Sequence, residues 1–216
     1  MVRRTITFVS GQLPRWRDDT SRPRRDAEPE LNEQLCKFLD DRARDEFSLV
    51  RFNHEEHQKG MHRADLSATP SNALVGVGYS SIYEPFIVFE CKRLPAPSRA
   101  REREYVTGDD GDGERGGGIQ RFKLGLHGPE LEICAVIGYL QTGSPTEWFA
   151  RVNDWIEQLI GAICKDGSSW DASDKLEKLD VSWPVGTSVC KSAHGRTDSR
   201  TGRVELTHLW VEMRGR

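Results

Sequence analysis

The stretch that decides the fold reads Phe86-Ile87-Val88-Phe89-Glu90-Cys91-Lys92 and is entered through Pro85 and left through Leu94-Pro95. Four consecutive residues of strong strand preference, in a stretch bounded by prolines, predict a β-strand. Side chains at i and i+2 share a strand face, so Phe86, Val88, Glu90 and Lys92 fall on one side and Ile87, Phe89 and Cys91 on the other. A carboxylate and an ammonium therefore close a buried strand together. Two charges there are costly unless paired or bound to something; a frayed strand end would carry the same letters with both groups in water.

Upstream, residues 47–53 and 62–68 read as further strands, and a helix precedes them with Leu31, Leu35, Phe38 and Leu39 at helical spacing and Pro29 in its first turn. Downstream, residues 95–118 are rich in Pro, Arg, Asp and Gly and read as a long, mobile loop. A helix is expected over IQRFKLGL, closed by His127-Gly128-Pro129, and LEICAVIGYL (131–140) reads as a strand covered on both faces. Ser144-Pro145-Thr146-Glu147 is a capping box with proline at the first helical position, ahead of a stripe made by Trp148, Val152, Trp155, Ile156, Leu159, Ile160 and Ile163. TSVCKSAH and RVELTHLWVEM, joined by GRTDSRTG, predict a C-terminal β-hairpin within about 180–216. At the other end, RTITFV (4–9) alternates like a strand, and residues 11–27, with Pro14, Pro23 and many charges, read as a loop. The class is α/β: a mixed central sheet flanked by helices, in one domain over 1–216.

Composition bounds the rest. A chain of 216 residues with 36% hydrophobic side chains can bury a real core. No apolar run approaches the roughly 20 residues that span a bilayer, and the basic start lacks an apolar stretch long enough for a secretory signal. Five scattered cysteines with no C-x-x-C pair suggest reduced thiols in a cytoplasmic protein. Net charge is only -3, yet arginines concentrate at positions 15–25 and 93–103.

Asp65 lies in the strand-like segment before the deciding strand. If the two strands are neighbours, Asp65 and Glu90 converge as two oxygen ligands of Mg²⁺ would, with waters and substrate phosphate completing the shell. A lysine beside such an ion can orient or deprotonate an attacking water or stabilise the transition state. Gly116-Gly117-Gly118 ahead of a helix would leave N–H groups open to an anion, with Gln120 and Arg121 facing a phosphate. Arg93, Arg103 and Tyr105, in and before that loop, are candidates to neutralise or stack on nucleic acid.

Asp65, then Glu90-Cys91-Lys92 ending an apolar strand, then Gln120 opening a helix, resembles the PD-(D/E)xK, or restriction-endonuclease-like, nuclease superfamily, over about residues 27–165. One departure is Ala64 where the motif has proline. The resemblance implies Asp65 and Glu90 as metal ligands with the Cys91 carbonyl as a third, Lys92 as the catalytic lysine, and Gln120 near the phosphate or the water. It also implies a glutamate on the first helix, for which Glu28, at the head of the apolar stripe, is the choice. The implied activity is Mg²⁺- or Mn²⁺-dependent cleavage of DNA, with RNA left open, in bacterial defence or repair, and a homodimer where both strands are cut. A module of the same fold that binds nucleic acid or protein without cutting is the alternative.

Other sites are weaker. His54, His57 and His62 could suggest zinc, but the spacing is not H-E-x-x-H. His194 and His208 sit on the two hairpin arms and read as packed or solvated. DDGDGERGGG lacks EF-hand spacing, and neither a P-loop nor a G-x-S-x-G motif is present.

Overall fold

The structure is a computed structural model and describes residues 1–58, 62–75, 78–79, 81–108, 116–162, 164–182, 186–196 and 200–213. Two helices open the chain, α1 (Val2–Asp18) and α2 (Glu28–Glu46), followed by β1 (Val50–His57), β2 (Arg63–Pro70), a single turn α3 (Asn72–Val75) and β3 (Ile87–Leu94). Then come α4 (Gly118–Lys123), β4 (Ile133–Leu140), α5 (Pro145–Glu157), β5 (Glu177–Asp180), β6 (Thr187–Gly195) and β7 (Arg203–Glu212). The strands form one seven-stranded sheet in the order β1-β2-β3-β4-β7-β6-β5. Neighbours β1, β2 and β3 are antiparallel, whereas β4 runs parallel to both β3 and β7. The sheet is mixed, as expected, and the C-terminal hairpin β6–β7 pairs from Thr187↔Val211 to Gly195↔Arg203.

Period-two alternation sends the two faces of each strand into separate cores. Ile87, Phe89 and Cys91 of β3 meet Leu31, Leu35 and Leu39 of α2 and Val9, Leu13 and Trp16 of α1. Val88 and Leu94 meet Ile119 and Phe122 of α4 and Trp148, Val152 and Ile156 of α5. The result is three layers, helices on both faces of the sheet. The capping box at α5 forms as read: the Glu147 N–H donates to Ser144 Oγ (3.2 Å) and the Ser144 N–H to Glu147 Oε2 (2.7 Å). The helix ends at Glu157, so Leu159 packs from the turn beyond it, and Ile163 lies outside the described residues.

The start of the chain differs from the sequence reading. Residues 4–9 are helix, not strand, and the expected loop 11–27 is helical as far as Asp18. Thr5, Val9, Leu13 and Trp16 recur at helical spacing and are buried, while Ile6 and Phe8, which suggested a strand, are only half-buried. Pro14 removes the N–H that would reach the Ser10 carbonyl, and burial of Leu13 and Trp16 on either side outweighs that loss. β5 and α3 carry too few residues to declare themselves. Among the described residues no helix is long and apolar enough to cross a membrane.

If α1 is the integral element seen here, Leu13→Ala, at a site with 0% exposure, destabilises the protein by about 2–5 kcal/mol. Chemical denaturation measures this; an unchanged midpoint would restore the loop reading of residues 11–27.

Candidate functional site

The site lies where β2 leaves β3. Their ladder runs from Ala68↔Ile87 to Leu66↔Phe89, and in that register the next opposed pair is Asp65 and Glu90. Beyond that point carboxylates take over from the ladder. The Cys91 N–H donates to Asp65 Oδ2 (2.7 Å) and the Arg93 N–H to Glu28 Oε2 (2.7 Å). Cys91 and Arg93 are two apart, so both N–H groups leave the same edge of β3. Glu28, the first residue of α2, thus joins that helix to the open edge of the strand.

Glu90 is the most enclosed member, at 0% exposure. Its Oε1 accepts Lys92 Nζ at 2.9 Å and Arg121 Nη1 at 2.7 Å, and its Oε2 lies 3.0 Å from His127 Nδ1. Lys92 Nζ also reaches Glu28 Oε1 at 3.1 Å. Burial by itself would raise the Glu90 proton affinity, yet Lys92, His127 and Arg121 outweigh it and hold the carboxyl well below its usual range. Burial would likewise lower the Lys92 amine, but Glu90, Glu28 and Asp65 push it up, so it stays an ammonium. Asp65 goes the other way: burial and then the nearby Glu90 raise it to about 7. Two acidic groups of opposite tendency beside one lysine are the signature of a site that has not fully neutralised itself.

Asp65 and Glu90 therefore meet because β2 and β3 are neighbours, with Lys92 beside Glu90 as the alternation predicted, and Glu28 joins them. Arg121 also arrives, but as a partner of Glu90 rather than a group facing outward. Gln120 does not. Its Oε1 accepts the N–H groups of Gly108 (2.8 Å) and Gly117 (2.9 Å), and its Nε2 donates to Asp166, so the side chain is spent as a clasp. The glycine cradle is corrected too. Backbone N–H groups of Gly118, Ile119 and Gln120 donate to the carbonyls of Glu104, Tyr105 and Val106 and are closed to an anion. A Cβ on Gly117 would sit 2.2 Å from Thr107 Cα, so this glycine serves close approach of two backbones.

Tyr105 cannot stack on a base, because it is buried and accepts from Trp210 Nε1 (2.8 Å) while bonding His208 Nδ1 (2.7 Å). From there a buried chain runs through Ser192 and His194 to Asp174 and Lys123. Burial pushes the His208 imidazole down to about 3, so the packed reading of both hairpin histidines holds. Residues 99–101 form a 3-10 turn and residues 105–108 are buried; residues 109–115 of the expected mobile loop lie outside the described residues. Arg103 is exposed and donates to Gln158, and Arg93 is half-buried. His127 was missed, its letters having served only to close a helix.

Among the described residues no group of three or more His, Cys, Asp or Glu side chains is gathered to hold a metal ion. A set of two carboxylates with a strand carbonyl is smaller and all oxygen, which suits Mg²⁺. One further observation fits a cation to Asp65 and Glu90: the Asp65 carboxyl is raised by burial and by the neighbouring carboxylate, a repulsion that a cation relieves. A groove of about 640 Å³ between α1 and β5–β7, lined in part by Arg3, Ser10, Lys191 and Arg203, shares no residue with this set.

Asp65 binds its proton more tightly folded than unfolded, so its share of stability is complete at low pH and is lost as pH rises through about 7. Asp65→Asn keeps an acceptor for Cys91 and removes that loss. In cation-free buffer its Tm should gain on wild type between about pH 5 and about pH 8; a constant difference would mean an ordinary solvated carboxylate. Compared with protein-family models, curated proteins and solved structures, the chain matches none.

Proposed function

We propose that the protein is a metal-dependent phosphodiesterase that cuts DNA, of the PD-(D/E)xK kind. The observation that carries this reading is the meeting of Asp65, Glu90 and Lys92 at the fork between β2 and β3, with Lys92 Nζ 2.9 Å from Glu90. The arrangement around it agrees: a helix first, then the acidic residue and the E-x-K on adjoining strands. A bound Mg²⁺ or Mn²⁺ would supply positive charge to the phosphate and a water of lowered pKa. Asp65, Glu90 and the Cys91 carbonyl would hold it. Lys92, kept cationic by Glu90 and Glu28, orients the attacking water or steadies charge growing on the phosphate oxygens. Glu28 fixes where the ammonium points.

The arginine stretches support a polyanionic substrate. Arg24 and Arg25 are exposed just before Glu28, and Arg99, Arg101 and Arg103 are exposed after Lys92. The Glu28–Lys92 pair joins the chain just after the first stretch to the chain ahead of the second, and exposed arginines can neutralise a phosphate backbone. A second reading, a module that binds without cutting, is favoured by the enclosure of Glu90, whose Oε1 is already held by two cations.

Plasmid and single-stranded DNA incubated with Mg²⁺ or Mn²⁺ separate the two. The nuclease reading predicts cleavage that falls roughly 100- to 10,000-fold in Lys92→Ala and Asp65→Ala. Salt-dependent DNA binding with no cleavage and no cation affinity would establish the binding module instead.

A further inference from the structure

The loop between α4 and β4 places one residue that the mechanism above does not use. His127 has 0% exposure; its Nε2 has no hydrogen-bond partner, and its Nδ1 faces Glu90 Oε2 at 3.0 Å. Burying an imidazole with that single polar contact is costly, so the position has to be imposed from outside the ring. It is. The His127 carbonyl accepts Arg196 Nη2 (3.3 Å), and the next N–H, of Gly128, donates to Gln58 Oε1 (2.9 Å). Gly128 has φ +52°, and a Cβ there would sit 2.9 Å from Cys134 Sγ and 3.1 Å from Val88 Cγ2. Phe122 meets the ring edge-on at 5.8 Å between centroids. The backbone on both sides is pinned, and the ring is directed at one oxygen of one carboxylate.

We propose that His127 is a positioning residue for Glu90. It takes the Oε2 side of the carboxylate and leaves Oε1 turned toward Lys92, Arg121 and the cation. This rests on the cation reading given above. A carboxylate with one oxygen held cannot swing, so the other is presented in a single orientation. Losing such an outer partner typically costs a metal site 10- to 100-fold in affinity.

The test is Mn²⁺ binding to the full chain without DNA, by titration calorimetry, beside circular dichroism and thermal melts. His127→Leu, close in volume but without a ring nitrogen, should bind Mn²⁺ about 10- to 100-fold more weakly, while His127→Asn, which keeps a donor, recovers most of the loss. A purely structural role moves the melts of both variants and leaves Mn²⁺ affinity at the wild-type value, which overturns the proposal. Leu and Asn variants equally weakened would overturn it as well. If His127→Leu does not fold, His127→Gln against His127→Met makes the same comparison. Wild-type protein that binds no Mn²⁺ removes the cation reading and this inference with it, an outcome distinct from the loss of the His127 role alone.

Discussion

A carboxylate with no solvent exposure in the middle of a sheet is the constraint around which the rest is arranged. Glu90 cannot stand there unpaired, since the cost of desolvating an isolated charge far exceeds what a domain has to spare. Three groups from separate parts of the chain answer it: Lys92 from the same strand, Arg121 from α4 and His127 from the loop beyond. That demand fixes where the short helix α4 lies. It also explains why residues 104–106 give their carbonyls to the first turn of α4 rather than to water. With the helix start stapled down, Arg121 is delivered to Glu90 and Gln120 is left to clasp the loop.

The second consequence concerns the fork. A strand pair that continued past Leu66↔Phe89 would satisfy the N–H groups of Cys91 and Arg93 with backbone. Side-chain carboxylates do it instead, and each carboxylate brought in this way adds negative charge around Lys92. The site thus holds three acidic side chains, Asp65, Glu90 and Glu28, against Lys92 and Arg121, with His127 at its back. Asp65 is the member left in tension, its carboxyl lifted by burial and by Glu90. Such an arrangement is poor as a device for stability alone, because buried ion pairs rarely repay their desolvation. Under the function proposed here, that surplus of negative charge is what a cation would meet.

The parts of this picture that follow from strict periodicity were legible in the sequence. Alternation put Glu90 and Lys92 on one face, the leucine stripe picked Glu28 from among the neighbouring glutamates, and the capping box at Ser144 located α5. What failed were readings by composition. Arg, Asp and Gly content made residues 95–118 look like one open loop, whereas Tyr105 and Val106 are core residues and only their contacts with β7 and α4 reveal it. Pro14 and a run of charges hid a helix whose buried face is Val9, Leu13 and Trp16. Gln120 has the right position in the chain but points elsewhere, since a side chain's direction depends on what lies beside it. His127 carried no pattern at all, because a single histidine acquires a role only when folding sets it against Glu90.

The most direct measurement is diffraction from crystals soaked in Mn²⁺, with the ion located by its anomalous scattering. A metal bonded at about 2.1 Å to one oxygen each of Asp65 and Glu90, beside the Lys92 ammonium, is the result expected. Manganese bound elsewhere on the chain, with Lys92 and Arg121 still closed over Glu90, would contradict the account.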